Sequence, residues 1–409
     1  MRILWVKAGK ILPVDTGGRI RSYNILRHLS TRNETVFLSY YSGSRDERYE
    51  RELHEHFPDA IPLADGAPDG GLAQLLHYAR RVAHRAPYAV SKFTSPSVRQ
   101  ALVDIIRNAR PDVAVCDFLS ASHNFPDPLP IPAVLFQHNV EHALWDRQAK
   151  HEANPLRKIA FSMEAKKMRR YERDAVARFH HVVAVSENDR RLMLDMTEAS
   201  RITVVPTGVD VAAYRSDADS GRGQTAMFLG SMDWPANIDG VEYFCEAIWP
   251  RVIAAVPGAK FQVVGRNPPQ RIARLASSSV EIVGGVKSVI PHLREAPVFV
   301  VPLRIGGGTR LKIYEAMAAE RAIVSTTVGA EGLDYTEGTD LLLADDATSF
   351  ADRVIDLLHD PARRRALGKA AGKTAARFDW SAVSLAFESV LRRAIDDVAL
   401  RVSPALTST

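Results

Sequence analysis

Short apolar runs alternate with helical patterns along this chain, and the alternation starts over after a polar gap. RILWV, TVFLSYY, PDVAVCDF, IPAVLFQ and HHVVAVS read as buried strands, with helical stretches such as RSYNILRHL and SPSVRQALVDIIRNA between them. TAMFLGS opens a second series that continues through KFQVVG, VEIVG, PVFVVPL, RAIVST and DLLLA. Apolar strands separated by helices need a parallel sheet covered on both faces. The expected class is therefore α/β, with two doubly wound, Rossmann-like parallel-sheet domains. The break falls in YRSDADSGRGQ, which carries Ser, Asp and Gly and almost no large apolar residue. The expected organisation is a first domain over 1–210, a linker over 211–223 and a second domain over 224–380. A closing helix at about 381–400 has no clear owner in the pattern, and packing back on the first domain stays open. Ligands of such sheets bind beyond the carboxyl ends of the strands, and two domains facing each other would enclose a deep cleft.

Size and composition agree with two globular cores: 409 residues, 46% hydrophobic and 25% charged. No run of ~18 apolar residues predicts a spanning helix, and Met1 leads directly into a strand rather than a cleavable leader. Two scattered cysteines, Cys116 and Cys245, point to a reducing compartment and exclude a disulfide framework or a Cys-based zinc site. A net charge of +5 is mild for this length and gives no argument for nucleic acid. The charge is uneven, however. RKIAFSMEAKKMRRYERDAVAR, residues 157–178, is dense in Lys and Arg. It reads either as a solvated helix face of mixed sign or as a surface for anionic lipid headgroups.

The richest chemistry lies in RIGGGTRLKIYEAMAAERAIVS, residues 304–325. Gly306, Gly307 and Gly308 join the strand PVFVVPL to the helix RLKIYEAMAA. Glycines there let a ligand approach the backbone closely, and a helix start offers unpaired N–H groups at the positive end of its dipole. That is an anion site with phosphate as the natural guest. Arg310 and Lys312 add charge-assisted donors. Lys312 and Glu315 lie about 60° apart on the helix. Glu315 interrupts an apolar sector and needs donors; the two hydroxyls of a ribose would serve. A tight turn with Glu315 in a salt bridge is the bland alternative. GxxxxGKS/T is absent, and no GxGxxG follows the first strand, so neither a P-loop enzyme nor a nicotinamide dehydrogenase is indicated.

Residues 298–333 closely resemble the donor-site region of retaining glycosyltransferases of glycosyl transferase family 4 (group 1), and specifically a subgroup carrying GGGTRLK. The resemblance extends over the chain through VDTGGRIRSYNILRHL, FQHNVEH, VVAVSENDRRLM, VVPTGVD, FLGSMDWPANIDG, VVGRNP and VGGVKSVIPHL. It implies the GT-B fold and transfer of a sugar from a nucleotide-diphosphate sugar, with UDP or GDP as the expected carrier, to a glycan or lipid-linked acceptor. Polysaccharide or lipid-linked glycan assembly is the implied setting. It implies no cofactor and no metal, since cations and helix dipoles neutralise the leaving diphosphate. The implied location is the cytoplasm, with the inner membrane face as a peripheral alternative and no nucleic-acid partner.

Site residues follow from the same resemblance. His138 and Glu315 are the expected catalytic pair. Donor contacts are expected from Gly230, Ser231, Asn237, Gly265, Val286, Gly306, Gly307, Gly308, Thr309, Arg310, Lys312 and Glu315. Gly17, Gly18 and Asp117 are expected at the acceptor or phosphate loop, with Arg19 or Arg21 assisting. Each has an ordinary structural alternative: a turn for the glycines, a cap for Asp117, a packed or surface ring for His138, core for Val286. Glu141 and His142 have weaker claims, and Trp234 is expected to pack rather than stack. Two positions depart from the family. Its paired glutamates have seven residues between them; the second matches Glu315, but the first falls on Gly307. The Arg and Lys common after the first strand of the second domain are replaced by Ser231 and, nearby, Asn237, and Arg310 and Lys312 are expected to take over their charge. A nucleotide-sugar epimerase of the same fold and a non-catalytic nucleotide-sugar-binding subunit are the rival readings.

Overall fold

A computed structural model describes residues 1–65, 85–152, 154–215, 223–305 and 311–402. The chain divides into two compact units, Met1–Pro206 with Ser381–Thr409, and Thr207–Trp380.

The first unit is built on a seven-stranded sheet: β1 (Arg2–Ala8), β2 (Glu34–Tyr41), β3 (Ala60–Ala64), β4 (Val113–Asp117), β5 (Ala133–Phe136), β6 (His181–Ala184) and β7 (Ile202–Val204). Their order is β3-β2-β1-β4-β5-β6-β7, and every pairing is parallel. The central strands are apolar from end to end because both faces are covered; all five residues of β4 are buried. The sheet winds outward in both directions from β1 and β4, so the switch point lies between these two strands. The edge strand β3 was not apparent in the sequence. It contains Pro62, which cannot donate to a ladder and is tolerated at an edge. The chain returns to this unit through its last long helix, Trp380–Val402. Phe387 is fully buried there and packs on Trp5 and Phe136, with ring centroids 5.6 and 4.9 Å away. Arg32 fastens the helix from outside, donating to Glu388 and Ser384, each at 3.1 Å.

The second unit repeats the plan with six strands: β8 (Thr225–Leu229), β9 (Lys260–Val264), β10 (Val280–Gly284), β11 (Val298–Val301), β12 (Ala322–Ser325) and β13 (Leu342–Leu343). The order β10-β9-β8-β11-β12-β13 is again all parallel, with the switch point between β8 and β11. Residues 207–215 belong to this unit rather than to a first domain ending at 210. The reason is local: Val209 N–H donates to Phe378 C=O at 2.8 Å, and Val209 C=O accepts from Trp380 N–H at 3.2 Å. Gly208 faces the Trp380 ring so closely that a Cβ would stand 2.5 Å from it.

Candidate functional site

In the first unit the expected residues gather at the switch point. β1 delivers Lys7, β4 ends in Asp117, and His138 lies two residues beyond β5. All three are buried. Asp117 Oδ1 accepts from His138 Nε2 at 2.8 Å. Its Oδ2 accepts from Lys7 Nζ at 3.1 Å and from Trp5 Nε1 at 3.0 Å. Asp117 is thus no helix cap but the hub of a buried polar network. Burial by itself would raise its carboxyl; the Lys7 charge and the His138 hydrogen bond outweigh that and hold it well below the usual carboxylate range. Burial pulls the Lys7 ammonium down, with Asp117 opposing. Burial also pulls His138 down to about 4 despite Asp117, so the ring is neutral near pH 7. A neutral ring that donates from Nε2 carries a lone pair on Nδ1. That atom is buried and has no hydrogen-bond partner among the described residues.

The backbone around this trio is shaped to hold it. Phe118, next after Asp117, sits at φ +72 and ψ 150, a conformation a residue with a Cβ adopts at a cost of about 1–3 kcal/mol. Its ring lies flat on His138, with centroids 3.7 Å apart and planes 2° apart. Lys7 Nζ stands 4.5 Å from the centre of the same ring. The helix α1 (Gly17–Ser30) starts against it: a Cβ at Gly18 would come within 2.4 Å of the Phe118 ring. That close approach is why glycine is needed there. Ser22 on α1 accepts from Lys7 at 3.1 Å, and buried Arg21 donates to the His138 carbonyl at 3.4 Å. Arg19 instead pairs with Asp15 at 3.0 Å. Two buried cations against one carboxylate, beside a helix start with no acid in its first turn, leave this end of the sheet electropositive.

The His138 loop is pinned from below. It runs into α2 (Glu141–His151), which is followed by α3 (Pro155–Arg178). Fully buried Glu172 on α3 accepts from Gln137 Nε2 and Glu141 N–H at 2.8 Å each, and from His142 N–H at 3.0 Å and Nδ1 at 2.6 Å. Burial, together with the Glu172 charge, pushes the Glu141 carboxyl up to about 7. Lys7, Ser22, Phe118 and Glu172 are site residues that the sequence reading missed. Lys7 had a usable signal, a lone charge near the end of an otherwise apolar strand.

In the second unit the expected donor residues collect at the ends of β8 and β9. Gly230 N–H donates to Val264 C=O at 2.9 Å, and Gly265 N–H donates to Gly284 C=O at 2.8 Å. A Cβ on Gly265 would lie 1.8 Å from the Gly230 carbonyl oxygen. Asn237, on α4 (Pro235–Tyr243), donates to Ser231 C=O at 2.7 Å and accepts from Lys312 Nζ at 2.8 Å. Lys312 lies on α5 (Leu311–Ala318), with its ammonium 4.3 Å from the centre of the Phe228 ring. It thus reaches the end of β8, where Ser231 and Asn237 stand. Glu315, one turn along α5, accepts from Tyr214 OH at 2.8 Å. Burial raises its carboxyl, against the Tyr214 bond and the Lys312 charge. Val286 is partly buried against the core, two residues past β10. Gly306, Gly307, Gly308, Thr309 and Arg310 lie outside the described residues.

Arg266 and Tyr214 were not foreseen. Arg266 Nε donates to Ser231 Oγ and Asp233 Oδ2, each at 3.2 Å, bringing a cation from β9 to the loop after β8. Ser231 Oγ also donates to Asp233 at 2.8 Å, and these bonds hold the Asp233 carboxyl low. Trp234 does not pack as expected. It is 52% exposed, because the Asp233 network turns this loop outward where α4 begins. Among the described residues no group of three or more His, Cys, Asp or Glu is placed to hold a metal ion.

Two doubly wound parallel sheets, each with its polar residues at the switch point, define a GT-B type protein. The family model described as Glycosyltransferase Family 4 matches residues 16–213, and that described as Glycosyl transferases group 1 matches residues 223–360. Together they span most of both units, and the chain belongs to this family of glycosyltransferases. Among curated proteins it is similar to the phosphatidyl-myo-inositol mannosyltransferase of Mycolicibacterium smegmatis, with 28% identity over 49% of this chain and 54% of that protein. It is also similar to the GDP-mannose-dependent monoacylated alpha-(1-6)-phosphatidylinositol monomannoside mannosyltransferase of Corynebacterium glutamicum, with 30% identity over 43% of this chain and 52% of that protein. The chain spans about half the length of the curated relatives it matches. Among solved structures, Anabaena HepE in complex with UDP superposes with a TM-score of 0.67 at 14% identity, covering 96% of this chain and 100% of that one. Sucrose-phosphate synthase from Thermosynechococcus elongatus gives 0.68 at 16%, covering 96% and 98%. At these identities the structural matches speak for the fold.

Proposed function

We propose that the chain transfers a sugar from a nucleotide-diphosphate sugar to a glycan or lipid-linked acceptor, with retention at the anomeric carbon. The observation that carries this reading is the convergence of Lys312, Asn237 and Gly230 at the end of β8, with Glu315 one turn further along the same helix. A cation beside bare backbone suits a diphosphate, and a carboxylate already accepting one hydroxyl, from Tyr214, suits a ribose. The relatives named for phosphatidylinositol acceptors and for GDP-mannose support the substrate classes. In the proposed step the bond from the anomeric carbon to the β-phosphate oxygen breaks. The acceptor oxygen bonds to the same face of that carbon, and its proton passes to the departing phosphate. Lys312 and neighbouring donors stabilise the charge that develops there, so no metal is required. His138 is neutral and already donates to Asp117. It serves as an acceptor through Nδ1, orienting a hydroxyl of sugar or acceptor rather than acting as a formal base.

The test is a thermal-shift panel of UDP, GDP, ADP, TDP and their common sugar conjugates without added metal. Stabilisation by one diphosphate and better stabilisation by one of its conjugates are expected, followed by transfer from that conjugate. No shift from any of them would remove the donor assignment. With the donor in hand, Glu315→Gln should weaken its binding by about tenfold, through loss of a charge-assisted bond to ribose. His138→Ala should lower turnover by tenfold or more while leaving donor affinity within about threefold. Isothermal titration and initial rates separate the two; unchanged affinity in the first variant, or full activity in the second, would strike that residue from its role.

A further inference from the structure

α3 carries a second feature, on the side away from the site. Its buried face is Ala165, Met168, Glu172, Ala175 and Val176. Opposite lie Ile159, Met163, Lys166 and Arg170, all exposed. Their spacing, i, i+4, i+7 and i+11, places them on one stripe about 60° wide. Ile159 is 59% exposed and Met163 52%, levels that large apolar side chains reach at only a few places among the described residues. Arg157 and Lys158 stand in the turn before Met163 and are exposed too.

The cations along α3 fall into two groups. Lys167, Arg169 and Arg173 are neutralised by Glu164, Asp146 and Asp195. Arg157, Lys158, Lys166 and Arg170 form no ion pair with a described residue. A solvated face of mixed sign would pair its charges along its length and would not raise bulky apolar side chains among the unpaired ones. Apolar side chains ringed by free cations match the boundary of an anionic bilayer: Ile159 and Met163 enter the acyl edge, while the Lys and Arg heads reach the phosphates.

We propose that this stripe of α3 docks the protein on an anionic lipid surface. The opposite face of the same helix holds the His138 loop through Glu172, so the lipid-facing stripe and the site loop share one rigid element. The proposal is independent of the transfer reading, because docking needs neither donor nor turnover.

Vesicle co-sedimentation of the full chain tests it. The protein should sediment with phosphatidylcholine vesicles containing about one third phosphatidylglycerol, and remain in solution with phosphatidylcholine alone. Salt at about 0.5 M should weaken the binding. Ile159→Asp with Met163→Asp, and separately Lys166→Glu with Arg170→Glu, should each reduce binding by about tenfold or more. Leu385→Asp, at an apolar position 55% exposed on the last helix, should bind as wild type does. Thermal melting checks that all variants fold. Wild-type protein that ignores anionic vesicles overturns the proposal, as does undiminished binding by both α3 variants or equal loss in Leu385→Asp. If vesicles are ignored and light scattering shows a dimer that Ile159→Asp with Met163→Asp dissolves, the stripe belongs to a second copy of the chain instead.

Discussion

Asp117→Ala should destabilise the protein by about 3–5 kcal/mol, the usual consequence of removing one partner from a buried ion pair. Three donors lose their acceptor at once: Lys7 Nζ, Trp5 Nε1 and His138 Nε2. Lys7 keeps only Ser22 and the Phe118 ring, too little to hold an ammonium out of water. Urea unfolding measures the loss, and a change below about 1 kcal/mol would show that the network contributes little. Adding Lys7→Met should recover part of the loss, since the deficit then no longer includes an unpaired buried charge. The sign with pH is fixed by the depressed carboxyl. The stabilisation is fully present above the unfolded value for Asp, about 3.9, and is lost as pH falls through the lower folded value. The Asp117→Ala variant should lack this part of the acid sensitivity.

The same network shows what a linear sequence can and cannot disclose. The strands were legible because a doubly covered parallel strand is apolar throughout, and β1, β4, β5, β8, β9, β11 and β12 all are or nearly so. Asp117 and His138 were legible as polar residues at strand ends. Their bond was not, because it joins β4 to β5, and whether neighbouring strands are adjacent in a sheet is a tertiary fact. Glu172 was hidden in a different way. Within RRYERDAVAR a lone Glu looks like one more solvated charge, yet the helix turns it fully inward to meet four donors of the His138 loop. Lys312 and Glu315 were legible because α5 is otherwise so apolar that two charges on it needed a reason. Their partners were not. Tyr214 lies 101 positions from Glu315 and Asn237 lies 75 from Lys312, distances over which no periodicity speaks.

Gly265→Ala should strike stability and donor binding together. A Cβ there would stand 1.8 Å from the Gly230 carbonyl oxygen and 2.7 Å from its carbonyl carbon. These are backbone atoms, so no side chain can rotate to make room, and the ends of β8 and β9 must part. Overpacking of this kind costs about 1–3 kcal/mol, sometimes more. Displacement is opposed because Gly230 N–H is bonded to Val264 C=O and Gly265 N–H to Gly284 C=O. Moving Gly230 also moves what leans on it: its Cα faces Lys312 Nζ and the Asn237 amide so closely that a Cβ would meet them at 2.7 and 2.8 Å. Affinity for the nucleoside diphosphate that stabilises the wild type should therefore fall by about tenfold or more, since charge and backbone no longer converge at the end of β8. Urea unfolding and isothermal titration read the two effects separately. Gly285→Ala supplies the contrast. It lies on the neighbouring strand end, where a Cβ would meet Arg266 only at ordinary van der Waals distance, 3.4 Å. It should leave both quantities nearly unchanged. If the two variants behaved alike, the contact between the ends of β8 and β9 would not be what holds the donor residues in register.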